Sequence, residues 1–336
     1  MSNTLNTDAL RSYLQQTGWD TQSFEVQPLV GGQSNPTYKI TCANQQIVLR
    51  KKPAGTLLPS AHAIDREYRV MQALEKTEVP VPNMLAYCDD ASILGTPFYL
   101  MSFLDGRVFN DQSLPQLDRK DRLAIYQEMN QVLAAIHQVD YRALGLESFG
   151  KPGNYFARQV ARWSRQVQES SIPIPTALSK LMEWLPHHIP TDDETTLVHG
   201  DFRLDNMVFD PIENKVIGVL DWELSTLGHP LADISYQCMA WRIPPTLWRG
   251  IGGLNLVDLG IPSEEEYIRS YEMHSGRSVG KDWNFYMAYN FFRISAILHG
   301  VAQRAVDGNA HAKDAAENGQ KSGLLGEIGL SCVDLT

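Results

Sequence analysis

The chain has 336 residues and a formal net charge of −10, with 43% apolar and 20% charged residues. That length allows two lobes or domains, the composition is that of a globular protein, and the acidic balance argues against a nucleic-acid backbone as partner. Cys42, Cys88, Cys238 and Cys332 form no C-x-x-C pair, so neither a zinc knuckle nor a disulfide framework is indicated and a reducing cytoplasm is the expected location.

The N-terminus, Met1-Ser2-Asn3-Thr4, lacks a basic start followed by an apolar core, so no signal peptide is read. Thr7 or Asp8 can cap a first helix from Ala9 to Gln16, stopped by Gly18. Strands are then expected over Phe24–Leu29, Thr37–Thr41 and Gln46–Arg50, with the polar loop Val30 to Pro36 between the first two and a turn at Asn44-Gln45. Ser60 can cap a helix running to Lys76. Pro80 and Pro82 precede another strand, and Phe98–Phe103 is a further one, closed by Asp105-Gly106. Sheet plus one helix suggests an N-terminal lobe over residues 1–105, and the remainder, 106–336, reads as mainly helical.

In that second part, Leu123, Tyr126, Met129, Leu133 and Ile136 lie at helical spacing within Asp118–His137. Asn154–Ser170 is a helix with Arg158, Arg162 and Arg165 along one face. Later helices are expected near 231–241, 263–275, 283–304 and 311–321. The most apolar stretch, Phe285 to Ala302, contains Asn290, Arg293 and His299, so it reads as a buried core helix and no membrane span is expected.

The chemistry is concentrated in His199-Gly200-Asp201-Phe202-Arg203-Leu204-Asp205-Asn206, flanked by apolar Leu197-Val198 and Met207-Val208-Phe209. A second apolar run, Val216 to Leu220, ends at Asp221. H-x-D-x-x-x-x-N is the spacing of a catalytic loop for phosphoryl transfer. Asp201 would accept the proton of a substrate hydroxyl. Asn206 and Asp221 offer hard oxygens of the kind that suit Mg²⁺. His199 is expected to shape the loop rather than take part in the chemistry.

With these residues the chain resembles the aminoglycoside-phosphotransferase-like small-molecule kinases. The likeness is greatest to the branch also found fused to acyl-CoA dehydrogenases, and it runs from about Val30 to the last helices. The resemblance implies a bilobal, protein-kinase-like α+β fold, with an antiparallel-sheet N-lobe, a mainly helical C-lobe, and ATP and Mg²⁺ in the cleft. Arg50 would then take the place usually held by a phosphate-gripping lysine, with Glu67 as its helix partner. Lys51 or Lys52 are the alternatives, and strand alternation puts Lys51 on the face opposite Arg50. Gly31, Gly32, Gln33, Ser34 and Asn35 would cover the phosphates. The backbone near Ser102 and Leu104 would pair with adenine, and Asp233 would brace the catalytic loop. Arg203 would reach the transferred phosphate or else pair with Asp205. Glu223 would approach metal or face solvent.

A protein kinase is disfavoured, because only Trp222 to His229 separate Asp221 from Pro230, no A-P-E follows, and D-F-G is replaced by Asp221-Trp222-Glu223. A catalytically weak nucleotide-binding module is the other alternative, although base, amide and metal carboxylate are all retained. The acceptor is expected to be a hydroxyl on a small molecule. The arginine face of Asn154–Ser170 suggests an anionic one, such as a hydroxyacyl thioester; a solvated face would leave an aminoglycoside open. Nothing in the sequence speaks to oligomeric state or to ATP against GTP.

Overall fold

A computed structural model describes residues 5–29, 35–43, 45–53, 63–307 and 312–334. In chain order the elements begin with α1 (Thr7–Gln16), β1 (Phe24–Pro28), β2 (Thr37–Cys42), β3 (Gln45–Lys51), α2 (Ile64–Leu74), β4 (Met84–Cys88), α3 (Ala91–Leu94) and β5 (Phe98–Ser102). There follow α4 (Arg119–Gln138), α5 (Tyr155–Gln168), α6 (Thr176–Trp184), β6 (Thr196–Val198), β7 (Met207–Phe209), β8 (Val216–Val219) and β9 (Thr226–Gly228). The chain ends with α7 (Pro230–Cys238), α8 (Leu256–Leu259), α9 (Glu264–Ser275), α10 (Trp283–Val306) and α11 (Ala312–Ser331). This is the expected α+β class, with one unit built on an antiparallel sheet and one mainly helical.

The first unit comprises Met1–Val108, Arg142–Phe149 and Asn206–Ser225. Its sheet has the order β1-β2-β3-β5-β4, antiparallel throughout. On one face Ile40, Ile47, Leu49, Phe98 and Leu100 pack with Leu10 and Leu14 of α1. Asn6, not Thr7 or Asp8, caps α1, accepting from the Ala9 N–H. The α2 helix buries Ile64, Val70, Met71 and Leu74; Ser60, expected as its cap, lies outside the described residues, as does Asn44 of the expected turn.

A single cut after Asp105 does not describe this division. The hairpin β7–β8 joins the first unit because its backbone is bonded there: Arg107 and Phe209 exchange N–H···O bonds of 2.7 and 2.8 Å, and the Val219 N–H donates to the Pro80 carbonyl at 2.8 Å. Gly106 permits this approach, since a Cβ there would stand 2.2 Å from the Phe209 carbonyl oxygen.

The second unit comprises Phe109–Tyr141, Gly150–Asp205 and Thr226–Thr336. Its core helix α10 is buried from Phe285 through Ala296, including Asn290 and Arg293. Among the described residues no helix is long and apolar enough to cross a membrane. Glycines let α11 lie close to α10: a Cβ on Gly329 would be 2.8 Å from Phe291 Cβ. A capping box between Ser263 and Glu266 starts α9. Within this unit the short strand β6, which leads into His199, pairs with β9, which leads into His229 and α7.

Candidate active site

The site residues fall into two groups, one in each unit. In the first, Arg50 stands on β3 and faces α2. Its Nε is 3.0 Å from Glu67 Oε2, an ion pair without an aligned hydrogen bond, and its Nη2 donates to Asp221 Oδ1 at 2.8 Å. Glu223 Oε2 is 3.9 Å from the same Nη2. Burial pushes the Glu67 carboxyl up to about 7, against the pull of Arg50. For Arg50, burial alone would lower the guanidinium, but the surrounding negative groups, Glu67 foremost, hold it above its ordinary value. Lys51 points to the other face of the sheet, where its Nζ donates to the Leu94 carbonyl at 2.8 Å. Alternation along β3 therefore separates the two cations, and it is Arg50 that meets the carboxylates.

Asp221, two residues past the end of β8, lies in the left-handed region, φ 64° and ψ 55°, which a short polar residue tolerates better than most. The turn that follows is pinned by Trp222, buried, whose Nε1–H donates to the Val219 carbonyl at 2.9 Å. The Leu220 N–H donates to the Asn206 carbonyl at 2.8 Å, which ties the backbone just before β7 to the backbone just after β8. Asn35 is buried; Gly31, Gly32, Gln33 and Ser34 lie outside the described residues. The Ser102 N–H donates to the Asn83 carbonyl at 2.9 Å. Among the described residues no backbone hydrogen bond engages the Leu104 N–H.

The second group is the loop after β6. Gly200 has φ +82°, a conformation that favours glycine. Asp233 of α7 accepts from the His199 N–H at 2.6 Å and the Gly200 N–H at 2.9 Å. It is fully buried, yet the donors around it hold its carboxyl below the ordinary range despite the opposing effect of burial. Behind it, the His137 ring approaches Asp233 Oδ2 at 3.5 Å and the Tyr271 hydroxyl at 2.7 Å. His199 Nδ1 accepts from the Asp201 N–H at 3.2 Å, and the Gly200 carbonyl accepts from Arg293 Nη2 at 2.6 Å.

Asp201 is thus held by its backbone, and its side chain is held too. Oδ1 accepts from the Tyr236 hydroxyl at 2.5 Å and Oδ2 from Arg203 Nε at 3.0 Å. Burial, and then the charge of Asp201, raise Tyr236 well above the ordinary phenol value, so its hydroxyl stays a donor. Arg203 also reaches Asp205 Oδ2 with Nη1 at 2.8 Å, and Arg249 Nη1 reaches that oxygen at 2.7 Å. Of the two readings of Arg203, the structure shows the pairing with Asp205, and the same guanidinium also bonds Asp201. A carboxylate so placed can accept and orient a hydroxyl proton.

Tyr236, Arg249, Arg293 and His137 were not singled out from the sequence. Tyr236 had a signal, since it lies three residues after Asp233 on one helix. So did Arg293, a charge inside an apolar run. Arg249, in an irregular loop, had none. The α5 arginines are not drawn to this loop. Arg158 donates to the Lys151 carbonyl, Arg162 is exposed with its guanidinium 5.0 Å from the Trp163 ring centroid, and Arg165 is exposed.

The phosphotransferase enzyme family (APH) matches residues 25–258. Acyl-CoA dehydrogenase family member 10 of Mus musculus is 49% identical over 328 residues, covering 96% of this chain and 30% of that protein. This chain therefore spans about a third of the length of that curated relative. A crystal structure from Ralstonia eutropha JMP134, provisionally described as an aminoglycoside phosphotransferase, is 47% identical with a TM-score of 0.90, covering 98% of this chain and 99% of that one. Aminoglycoside phosphotransferase APH(4)-Ia, solved with ADP and hygromycin B, has a TM-score of 0.63 at 17% identity, covering 96% of this chain and 99% of that one, which is a likeness of fold.

Proposed function

The chain belongs to the phosphotransferase enzyme family, and from that premise we propose that it moves the γ-phosphoryl group of ATP to a hydroxyl of a small molecule. The observation that carries this reading is Asp201, held between the Tyr236 hydroxyl and Arg203 on a loop braced by Asp233. Phosphoryl transfer asks for an aligned acceptor oxygen, neutralised phosphate charge and a held metal, and little else of the protein.

In this mechanism Asp201 accepts the hydroxyl proton as the oxygen attacks phosphorus, while Tyr236 and Arg203 keep the carboxylate in one orientation. Arg50, anchored by Glu67, binds nucleotide phosphate, and the Leu104 N–H serves adenine. The donor set suits Mg²⁺: Asn206 offers an amide oxygen and Asp221 a carboxylate, whose Oδ1 accepts from Arg50 Nη2. Asn206 and Asp221 would hold the ion, which when bound neutralises charge on the phosphates.

For the acceptor we favour a hydroxyacyl thioester. The name of the mouse relative supports an acyl-CoA connection, and arginines around Asp205 suit an anionic molecule. The test is coupled ADP release with Mg·ATP against hydroxyacyl-CoA thioesters, neutral sugars and amino alcohols, and aminoglycosides. Turnover is expected with the thioesters and should fall by about 10²-fold or more in Asp201→Asn. Undiminished turnover in that variant would remove Asp201 as base; turnover with aminoglycosides alone would replace the acceptor.

A further inference from the structure

Asp205 is neither the proposed base nor a proposed metal ligand, yet a single one of its oxygens receives two guanidinium groups, from Arg203 and Arg249. Arg249 comes from a loop far along the chain, and that loop is closed on itself. The Gly250 N–H donates to the Trp248 carbonyl at 2.9 Å, the Gly252 N–H to the Ile243 carbonyl at 2.9 Å, and the Ile251 N–H to the Ala240 carbonyl at 2.7 Å. A Cβ at Gly250 would stand 1.8 Å from the Ile243 carbonyl oxygen, so this closure needs glycine directly after Arg249. Ile243 and Ile251 are buried under it. The result is a stiff mount for one arginine whose side chain remains 41% exposed.

Three carboxylates, Asp201, Asp205 and Asp233, and three guanidinium groups, Arg203, Arg249 and Arg293, surround the loop, and of the three cations Arg249 is the most exposed. Arg249 gives hydrogen bonds with Nη1 alone among the described residues. The rest of its planar fork is of the kind that takes carboxylate or phosphate in two parallel bonds. Asp205 fixes the guanidinium in place, so that little side-chain freedom is lost when an anion binds.

We propose that Arg249, docked on Asp205 beside the base loop, binds an anionic group of the phosphate acceptor and sets the enzyme's preference for anionic acceptors. The α5 arginines, turned to Lys151 and Trp163 or exposed, do not do this. The inference rests on the reading of Asp201 as the base and deepens it by naming the specificity residue.

The test compares wild type, Arg249→Gln and Arg249→Lys with two acceptors sharing one reacting hydroxyl: a hydroxyacyl-CoA thioester and the uncharged hydroxyacyl-pantetheine thioester. In Arg249→Gln, KM for the CoA thioester should rise about tenfold or more, the scale of one charge-assisted contact. KM for Mg·ATP and for the pantetheine thioester should not move, melting temperature should hold, and Arg249→Lys should fall between. An equal rise for both acceptors, or a fall in kcat alone, would make Arg249 a structural strut and overturn the inference. Wild type that turns over both thioesters with one KM, or only aminoglycosides, overturns it as well. If wild type turns over neither a thioester nor an aminoglycoside, the acceptor reading fails on its own, and calorimetry with free CoA decides the inference. Tenfold weaker binding in Arg249→Gln supports it; no binding by wild type overturns it.

Discussion

At the level of single residues, the neighbours Arg50 and Lys51 show how backbone geometry assigns chemistry. Both are buried and both are cations, but one meets Glu67 and Asp221 while the other gives its charge to a carbonyl at the end of α3. Burial alone holds the Lys51 ammonium below its ordinary value, with no carboxylate to oppose it. Arg50→Met should therefore weaken ATP binding by roughly 10–100-fold, the loss of a charged hydrogen bond. Lys51→Met should leave it within about twofold. Calorimetric titration with Mg·ATP separates them, and the reverse order would move phosphate binding to Lys51. The alternation of β3 was readable from the sequence; which face receives α2 was not, because that depends on packing 17 residues further along the chain.

Among elements, α7 carries the most. Asp233 in its first turn holds two loop amides, and Tyr236, one turn on, holds the Asp201 carboxylate. The helix is thus a template that sets the backbone and side chain of Asp201 together. Its support is His137 of α4, in contact with Asp233 and Tyr271. Burial lowers the His137 ring below the ordinary imidazole value, the neighbouring Asp233 notwithstanding. A proton then costs more in the folded protein than in the unfolded one. Stability from this group is complete above the ordinary value and is lost as pH falls through the depressed one. Melting temperature should therefore decline on acidification just below the ordinary imidazole range, and His137→Gln should flatten that decline. A variant whose profile overlays wild type would assign the acid sensitivity to other groups. Shorter elements were harder to read: α6 lies among prolines that look like loop punctuation, and β9 is three residues long and exists only because β6 pairs with it.

For the whole molecule, the chain passes from one unit to the other between Asp205 and Asn206, inside the H-x-D-x-x-x-x-N motif. A ligand held by Arg50 and Asp221 binds only the folded first unit. Mass action then predicts a higher melting temperature with Mg·ATP, worth about 2.7 kcal/mol at a hundred times Kd. Asp221→Ala should abolish most of that shift and its dependence on Mg²⁺. A full shift in the variant would count against Asp221 as metal ligand.

The sequence alone determined the class of fold and the order of most helices and strands, and it singled out Asp201, Asn206 and Asp221 as candidates. Those signals are local: a spacing of five residues, apolar runs of period two or 3.6, and a carboxylate ending a strand. Tertiary structure alone decided that Tyr236 and Arg203 hold the Asp201 carboxylate, that Arg293 supports its loop, that Arg249 reaches Asp205, and that the hairpin after Asn206 belongs with the N-terminal sheet. Tyr236, Arg249 and Arg293 act across 35, 44 and 93 residues of chain. Hydrogen bonds at such separations leave no period in the sequence, since the partner's position is set by how helices and sheets pack and not by the chain between them.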